Sequence, residues 1–149
     1  MNINTKYFGP VDCTEADFIT FPRGLFGFED ETEFLLLPFS GSCGNLICFQ
    51  SVRTPALAFV AMNPFSLDPA YDPQPQPEAL SLLRTKDRQA LSCYVLCAVR
   101  EPVGSSTLNF RCPILLREGT RTAVQVILED SALDMHRRLS DFSGGGAPC

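Results

Sequence analysis

Four carboxylates crowd into one short stretch of this chain: Glu29, Asp30, Glu31 and Glu33. Paired carboxylates do acid–base chemistry when a fold drives their pKa values apart. Sequence neighbours on one edge more often form a solvated face that steers a cationic partner. His136 is the only histidine, so a histidine-dependent triad has a single candidate base. It lies in Asp134-Met135-His136-Arg137-Arg138, a polar stretch that reads as solvated, whereas a general base needs held geometry. Arg137 and Arg138 alone are weak evidence for a phosphate site. Seven cysteines are present without any Cys-x-x-Cys, and a structural metal site wants ligands clustered at tight spacing. Cys93 and Cys97, four apart in an apolar run, read as small hydrophobes on one strand face. No glycine-rich phosphate loop opens a helix. The residues therefore predict no catalysis, no cofactor and no metal.

The acids follow directly on Phe21-Pro22-Arg23-Gly24-Leu25-Phe26-Gly27-Phe28. Gly24 and Gly27 permit a positive φ and close backbone approach. Three phenylalanines beside them demand burial or a partner. Two readings stay open for this knuckle. It is a corner that plugs one end of a barrel, with the acids merely solvated, or it is a docking surface with Phe26 and the four acids in contact with a partner.

The elements that must position it belong to one domain of 149 residues with 45% apolar and 19% charged residues, a composition that packs rather than stays disordered. The net charge of −5 lacks the basic footprint of a nucleic-acid binder. The first forty residues carry seven acids against Lys6 and Arg23, so the negative field sits at the N-terminal end and favours a basic protein partner. No apolar leader follows Met1, and no stretch reaches the roughly 18 apolar residues of a membrane span. A reducing cytoplasm with free thiols is expected.

Short apolar runs separated by turn residues recur along the chain. They are Ile3 to Phe8 before Gly9-Pro10, Phe18 to Phe21, Phe34 to Leu37, Leu46 to Val52, Leu57 to Met62, Leu91 to Val99, Leu108 to Leu116, and Thr122 to Leu128. Runs of this length predict an all-β sandwich or barrel, and Glu118-Gly119 predicts a hairpin between the last two. One helix is expected over Pro77 to Arg84, with proline and an acid in its first turn. The proline-rich loop before it, Pro64 to Gln76, cannot pair as a central strand. It is either a stiff connector or a binding loop offering Asn63, Phe65 and Tyr71. The fold class is mainly β: a small antiparallel β-barrel-like domain over residues 1–139 with one short helix. A flexible tail follows over 140–149, with an oxidisable Cys149. The expected core is Phe18, Phe21, Leu36, Ile47, Phe49, Leu57, Phe59, Val95, Cys97, Val99, Ile114, Val126 and Leu128.

Several of these phrases, in order, resemble the flagellar assembly factor FliW family. The resemblance runs from Asn2 to about Leu139. It rests on Asn4-Thr5-Lys6-Tyr7-Phe8-Gly9, on the knuckle Phe21 to Glu29, and on Phe34-Leu35-Leu36-Leu37-Pro38. It continues through Phe49-Gln50-Ser51-Val52 with Asn63-Pro64-Phe65, then Ser105 to Ile114, and Gln125-Val126-Ile127-Leu128. Phe26 departs from the family's usual proline, Cys112 from its usual alanine, and the 69–77 loop is richer in proline. The resemblance implies a cytoplasmic binding protein, monomeric when free, that touches neither nucleic acid nor membrane. Its implied partners are flagellin and the CsrA homodimer, a basic translational repressor of flagellin synthesis. The alternative is a dedicated flagellin chaperone without CsrA regulation.

Overall fold

The computed structural model describes residues 1–41, 45–130 and 132–142. Residues 42–44 of the expected loop, and 143–149 of the expected tail with Cys149, lie outside the described residues. Strands β1 (Asn2–Thr5) and β2 (Gly9–Asp12) form a separate hairpin. The main sheet contains β3 (Ile19–Thr20), β4 (Glu33–Pro38), β5 (Leu46–Ser51) and β6 (Ala58–Met62). After helix α1 (Pro77–Leu82) come β7 (Leu91–Ala98), β8 (Thr107–Leu108), β9 (Ile114–Arg117), β10 (Thr122–Gln125) and β11 (Arg137–Arg138).

The sheet closes because β7 serves two neighbours. Its Val95–Cys97 end pairs with β6, and its Leu91–Tyr94 end pairs with β9. The order β7-β6-β5-β4-β3-β10-β9 thus returns to β7 as a seven-stranded barrel. The expected antiparallel barrel is present, with one parallel seam where Thr20 meets Thr122. That seam is short because β3 contributes only two residues.

Alternation along the strands sorts the apolar residues into an inner core and two outer ones. Inside the barrel lie Ile19, Phe21, Phe34, Ile47, Phe49 and Ile114, with Leu25 and Ala123. Phe21 meets Phe34 and Phe49 edge to face at 5.2 and 5.8 Å. On the outer wall, Cys93, Val95, Leu115 and Val124 are covered by the 64–83 segment through Leu67, Tyr71, Ala79 and Leu83. Strand β7 is therefore covered on both faces, which explains its apolar run from Cys93 to Ala98. The β1–β2 hairpin lays Ile3 and Cys13 over Leu35 on another part of the wall. Leu108, Phe110, Leu128 and Phe142 extend the second core. Phe142, inside the expected tail, stacks 5.6 Å from Phe110 and lies under the Arg137 guanidinium at 4.4 Å.

Four expectations about strands and core need correction. The run from Leu108 to Leu116 is two strands, because the Asn109 side chain accepts from the backbone N–H of Arg111 and Cys112 at 3.2 and 3.0 Å and turns the chain between them. The first turn falls before Gly9-Pro10. Thr5 Oγ1 donates to Gly9 O at 2.7 Å and accepts from Phe8 N at 2.9 Å, which places Gly9 and Pro10 inside β2. Pro10 faces Asn4, three steps along the ladder from Met1 and Cys13, which exchange both backbone bonds. By the alternation of an antiparallel ladder it needs no N–H there. Val99 is exposed, since it lies past Ala98, the last paired residue of β7. Phe18, Leu36, Leu57, Phe59, Cys97 and Val126 are partly rather than fully buried. Among them, Phe18 belongs to the patch under the N-terminal hairpin and not to the barrel interior.

Helix α1 is shorter than expected. It carries proline at its start and Glu78 in its first turn. It ends where Arg84 takes φ +55° and the Arg117 guanidinium donates to the carbonyls of Leu83 and Arg84 at 3.0 and 2.7 Å. Those are the acceptors a helix end leaves without partners.

Candidate protein-docking site

The knuckle is built from backbone hydrogen bonds and two glycines. Phe21 N donates to Thr32 O at 2.7 Å, and Gly24 N to Phe21 O at 2.9 Å. Leu25 and Phe28 exchange bonds across the turn, Phe28 N to Leu25 O at 2.7 Å and Leu25 N to Phe28 O at 3.3 Å. Gly27 sits in that turn at φ +85°, facing open space. Gly24 has φ +65°, and a Cβ there would lie 2.6 Å from the backbone of Phe28 and Glu29. The segment thus combines two geometries. It seats Phe21 and Leu25 in the barrel interior and leaves Phe26 and Phe28 48% and 42% exposed. Phe28 leans edge-on against Phe59 at 5.1 Å. Gln125 holds Phe26 in place: its Oε1 accepts from Phe26 N at 2.9 Å, and its Nε2 donates to Cys112 O at 3.3 Å.

The four acids divide. Glu29, Asp30 and Glu33 are exposed. Glu31 is turned to the β5–β6 connection, where Ser51 Oγ and Thr54 Oγ1 both donate to its carboxylate. These bonds, Ser51 first and then Thr54, hold its pKa below the ordinary carboxylate value of 4.5, with Arg53 adding a smaller electrostatic contribution. A carboxyl whose folded pKa is depressed contributes stability above its unfolded pKa and loses it as pH falls through the folded value. The stability difference between the native protein and Glu31→Gln is therefore expected to be full at neutral pH. It should shrink as pH is lowered below about 4.5, which melting temperatures across an acid series check. A constant difference through that window would remove the charge of Glu31 from the fold's stability.

A groove of about 250 Å³ runs between the knuckle, α1 and the chain leaving β10. Phe26, Leu82, Val126 and Ile127 give it apolar walls, and Ile127 is 52% exposed. Ile127 and Leu82 are not among the expected site residues. The available signal was Ile127 itself, the middle residue of three consecutive apolar positions whose neighbours turn inward.

Asn63, Phe65 and Tyr71 occupy another place. Asn63 accepts from Phe65 N at 3.0 Å and caps the turn Pro64–Ser66. Tyr71 is buried, its ring standing perpendicular to Phe110 at 5.1 Å and its hydroxyl donating to Phe110 O at 2.6 Å. Burial pushes its phenol well above the usual range. Phe65 remains exposed beside it. Phe65 and Tyr71 border a separate cavity of about 340 Å³ with Leu91, Cys93 and Leu115, and no knuckle residue lines it. Burial also raises the Cys93 thiol to about 12 and the Cys48 thiol to about 11, so both stay protonated and unreactive at neutral pH. His136 is exposed, with its backbone N–H on Asp134 Oδ1 at 2.8 Å. Among the described residues, no group of three or more His, Cys, Asp or Glu is placed to hold a metal, and no helix is long and apolar enough to cross a membrane.

Comparison with known proteins agrees with this architecture. A family model described as FliW protein matches residues 2–139. The flagellar assembly factor FliW of Geobacillus sp. (strain WCH70) is 37% identical over 139 residues, covering 93% of this chain and 95% of that one. The flagellar assembly factor FliW of Shouchella clausii (strain KSM-K16) is 34% identical over 146 residues, covering 98% and 99%. A solved crystal structure of the flagellar assembly factor FliW superposes with a TM-score of 0.87 at 34% identity, covering 93% of this chain and 96% of that one. The chain belongs to the FliW family of flagellar assembly factors.

Proposed function

We propose that this flagellar assembly factor binds the CsrA homodimer in the cytoplasm, relieves its repression of flagellin synthesis, and binds flagellin. The observation that carries this reading is the knuckle face. It holds two half-exposed phenylalanines with three exposed carboxylates on a rigid, glycine-set turn. Paired apolar anchors and a negative field suit a basic protein partner better than a small substrate. Coupling then follows from linkage. If flagellin and CsrA disfavour each other on the barrel, free flagellin weakens CsrA binding by the same factor that CsrA weakens flagellin binding. Export lowers free flagellin, the barrel becomes available to CsrA, and translation of flagellin resumes.

Neutralising Glu29→Gln, Asp30→Asn and Glu33→Gln together tests the electrostatic part. Affinity for CsrA is expected to fall by roughly tenfold at low ionic strength and to converge with the native value at high salt, where exposed charges are screened. Glu31 is left intact because its carboxylate is engaged by Ser51 and Thr54. Equal affinities at low salt would take the acids out of recognition. Retained flagellin binding with no CsrA binding by the native chain would reduce the protein to a flagellin chaperone.

A further inference from the structure

We propose that the groove between the knuckle and α1 receives a lysine- or arginine-flanked apolar segment of a protein partner. This rests on the protein-binding reading above and assigns it a place. The floor is apolar: Ala79 and Leu82 come from α1, Val126 and Ile127 from the chain after β10, and Phe26 from the knuckle. Phe26 and Ile127 are each about half exposed, a costly pair to leave in water and the usual mark of an interaction surface.

The rim is acidic. Glu78 lines the groove. Glu29 belongs to the knuckle beside it and is exposed, with only its backbone placed against the lining residue Gly24. Glu129 is tied to the rim residue Gln76 by a 2.9 Å bond from Gln76 Nε2. Arg23 is the one cation among the described lining residues. Two carboxylates, Glu78 and Glu129, against the one guanidinium favour a basic flank beside an apolar stretch over an acidic one.

The groove is also formed in advance. Gln125 accepts from Phe26 N and donates to Cys112 O, which fixes the backbone that carries the Phe26 ring and lowers the ordering needed when a partner arrives.

The test uses the full chain and a fluorescein-labelled peptide of leucines flanked by lysines, followed by fluorescence anisotropy. The native chain is expected to bind it at low salt. Replacing both exposed anchors, Phe26→Ser with Ile127→Ser, should weaken binding by at least about tenfold, the loss expected when hot-spot anchors are removed. Phe65→Ser, an exposed ring bordering the separate cavity, should leave it unchanged, and a peptide with glutamates in place of the lysines should not bind. Equal binding by the double variant, equal binding of the glutamate peptide, or no binding by the native chain overturns the assignment. The same proteins are then tested against CsrA and flagellin. Loss of either partner by the double variant supports the groove; retention of both overturns the groove alone. Failure of the native chain to bind both partners overturns the functional reading itself.

Discussion

Gly24→Ala is expected to lower the free energy of unfolding by about 3 kcal/mol and the melting temperature by roughly 10 °C. Two costs add. Alanine at φ +65° is strained, which contributes about 1–2 kcal/mol. The new methyl would also meet the backbone of Phe28 and Glu29 at 2.6 Å. Backbone cannot rotate away as a side-chain tip can, so the knuckle must shift. Such a shift weakens the bonds between Leu25 and Phe28 and unseats Phe21 and Leu25 from the barrel interior. Gly27 is the internal control. It has φ +85° but faces open space, so Gly27→Ala carries strain alone and is expected to cost about 1 kcal/mol. Thermal melts of the two variants side by side decide the matter. Equal melting temperatures would contradict the close approach at Gly24.

Gln50→Leu is expected to cost about 2 kcal/mol despite preserving size and raising apolarity. Gln50 is fully buried on the outer face of β5. Its Oε1 accepts from Lys6 N at 2.9 Å, and its Nε2 donates to the carbonyls of Ser51, Pro55 and Leu57 at 3.0, 3.1 and 3.2 Å. One amide thereby ties the N-terminal hairpin to the β5–β6 connection. Leucine fills the space and removes the amide's bonds to Lys6 N–H and to the Ser51, Pro55 and Leu57 carbonyls. Lys6 and Pro55 are exposed, so water replaces part of what is lost there and the net cost is that of losing the remaining bonds. Chemical denaturation measures the loss, and hydrogen exchange at the Lys6 amide locates it: exchange there should accelerate in the variant. Unaltered protection at Lys6 with native stability would show that the tie is dispensable.

The barrel was readable in the sequence because its signals are local. Apolar runs of strand length end at Pro22, Pro38 and Asn63-Pro64, and the hairpin at Glu118-Gly119 joins β9 to β10 as expected. What escaped depends on contacts distant in the chain. Asn109 looks like any polar residue until its side chain is seen folding back on Arg111 and Cys112. Gln50 and Gln125 are of a type that ordinarily faces water, and only their partners far along the chain reveal them as ties.

The candidate site was legible to a similar degree. The glycine positions and the acid cluster mark the knuckle, and both glycines take the positive φ their spacing calls for. That Glu31 turns away from its neighbours requires Ser51 and Thr54, twenty or more residues on. Tyr71 stood in a loop that composition alone places on the surface. Its burial comes from Phe110, which the loop happens to cover. The groove needed α1, the knuckle and the end of β10 to meet, which no single run discloses.

Isothermal titration of the CsrA homodimer into the purified chain, alone and again after saturation with flagellin, bears most directly on the central claim that this barrel acts by binding these two proteins. The expected result is a clear binding isotherm for CsrA alone and a weakened one once flagellin is present. No heat with either protein at micromolar concentration would contradict it.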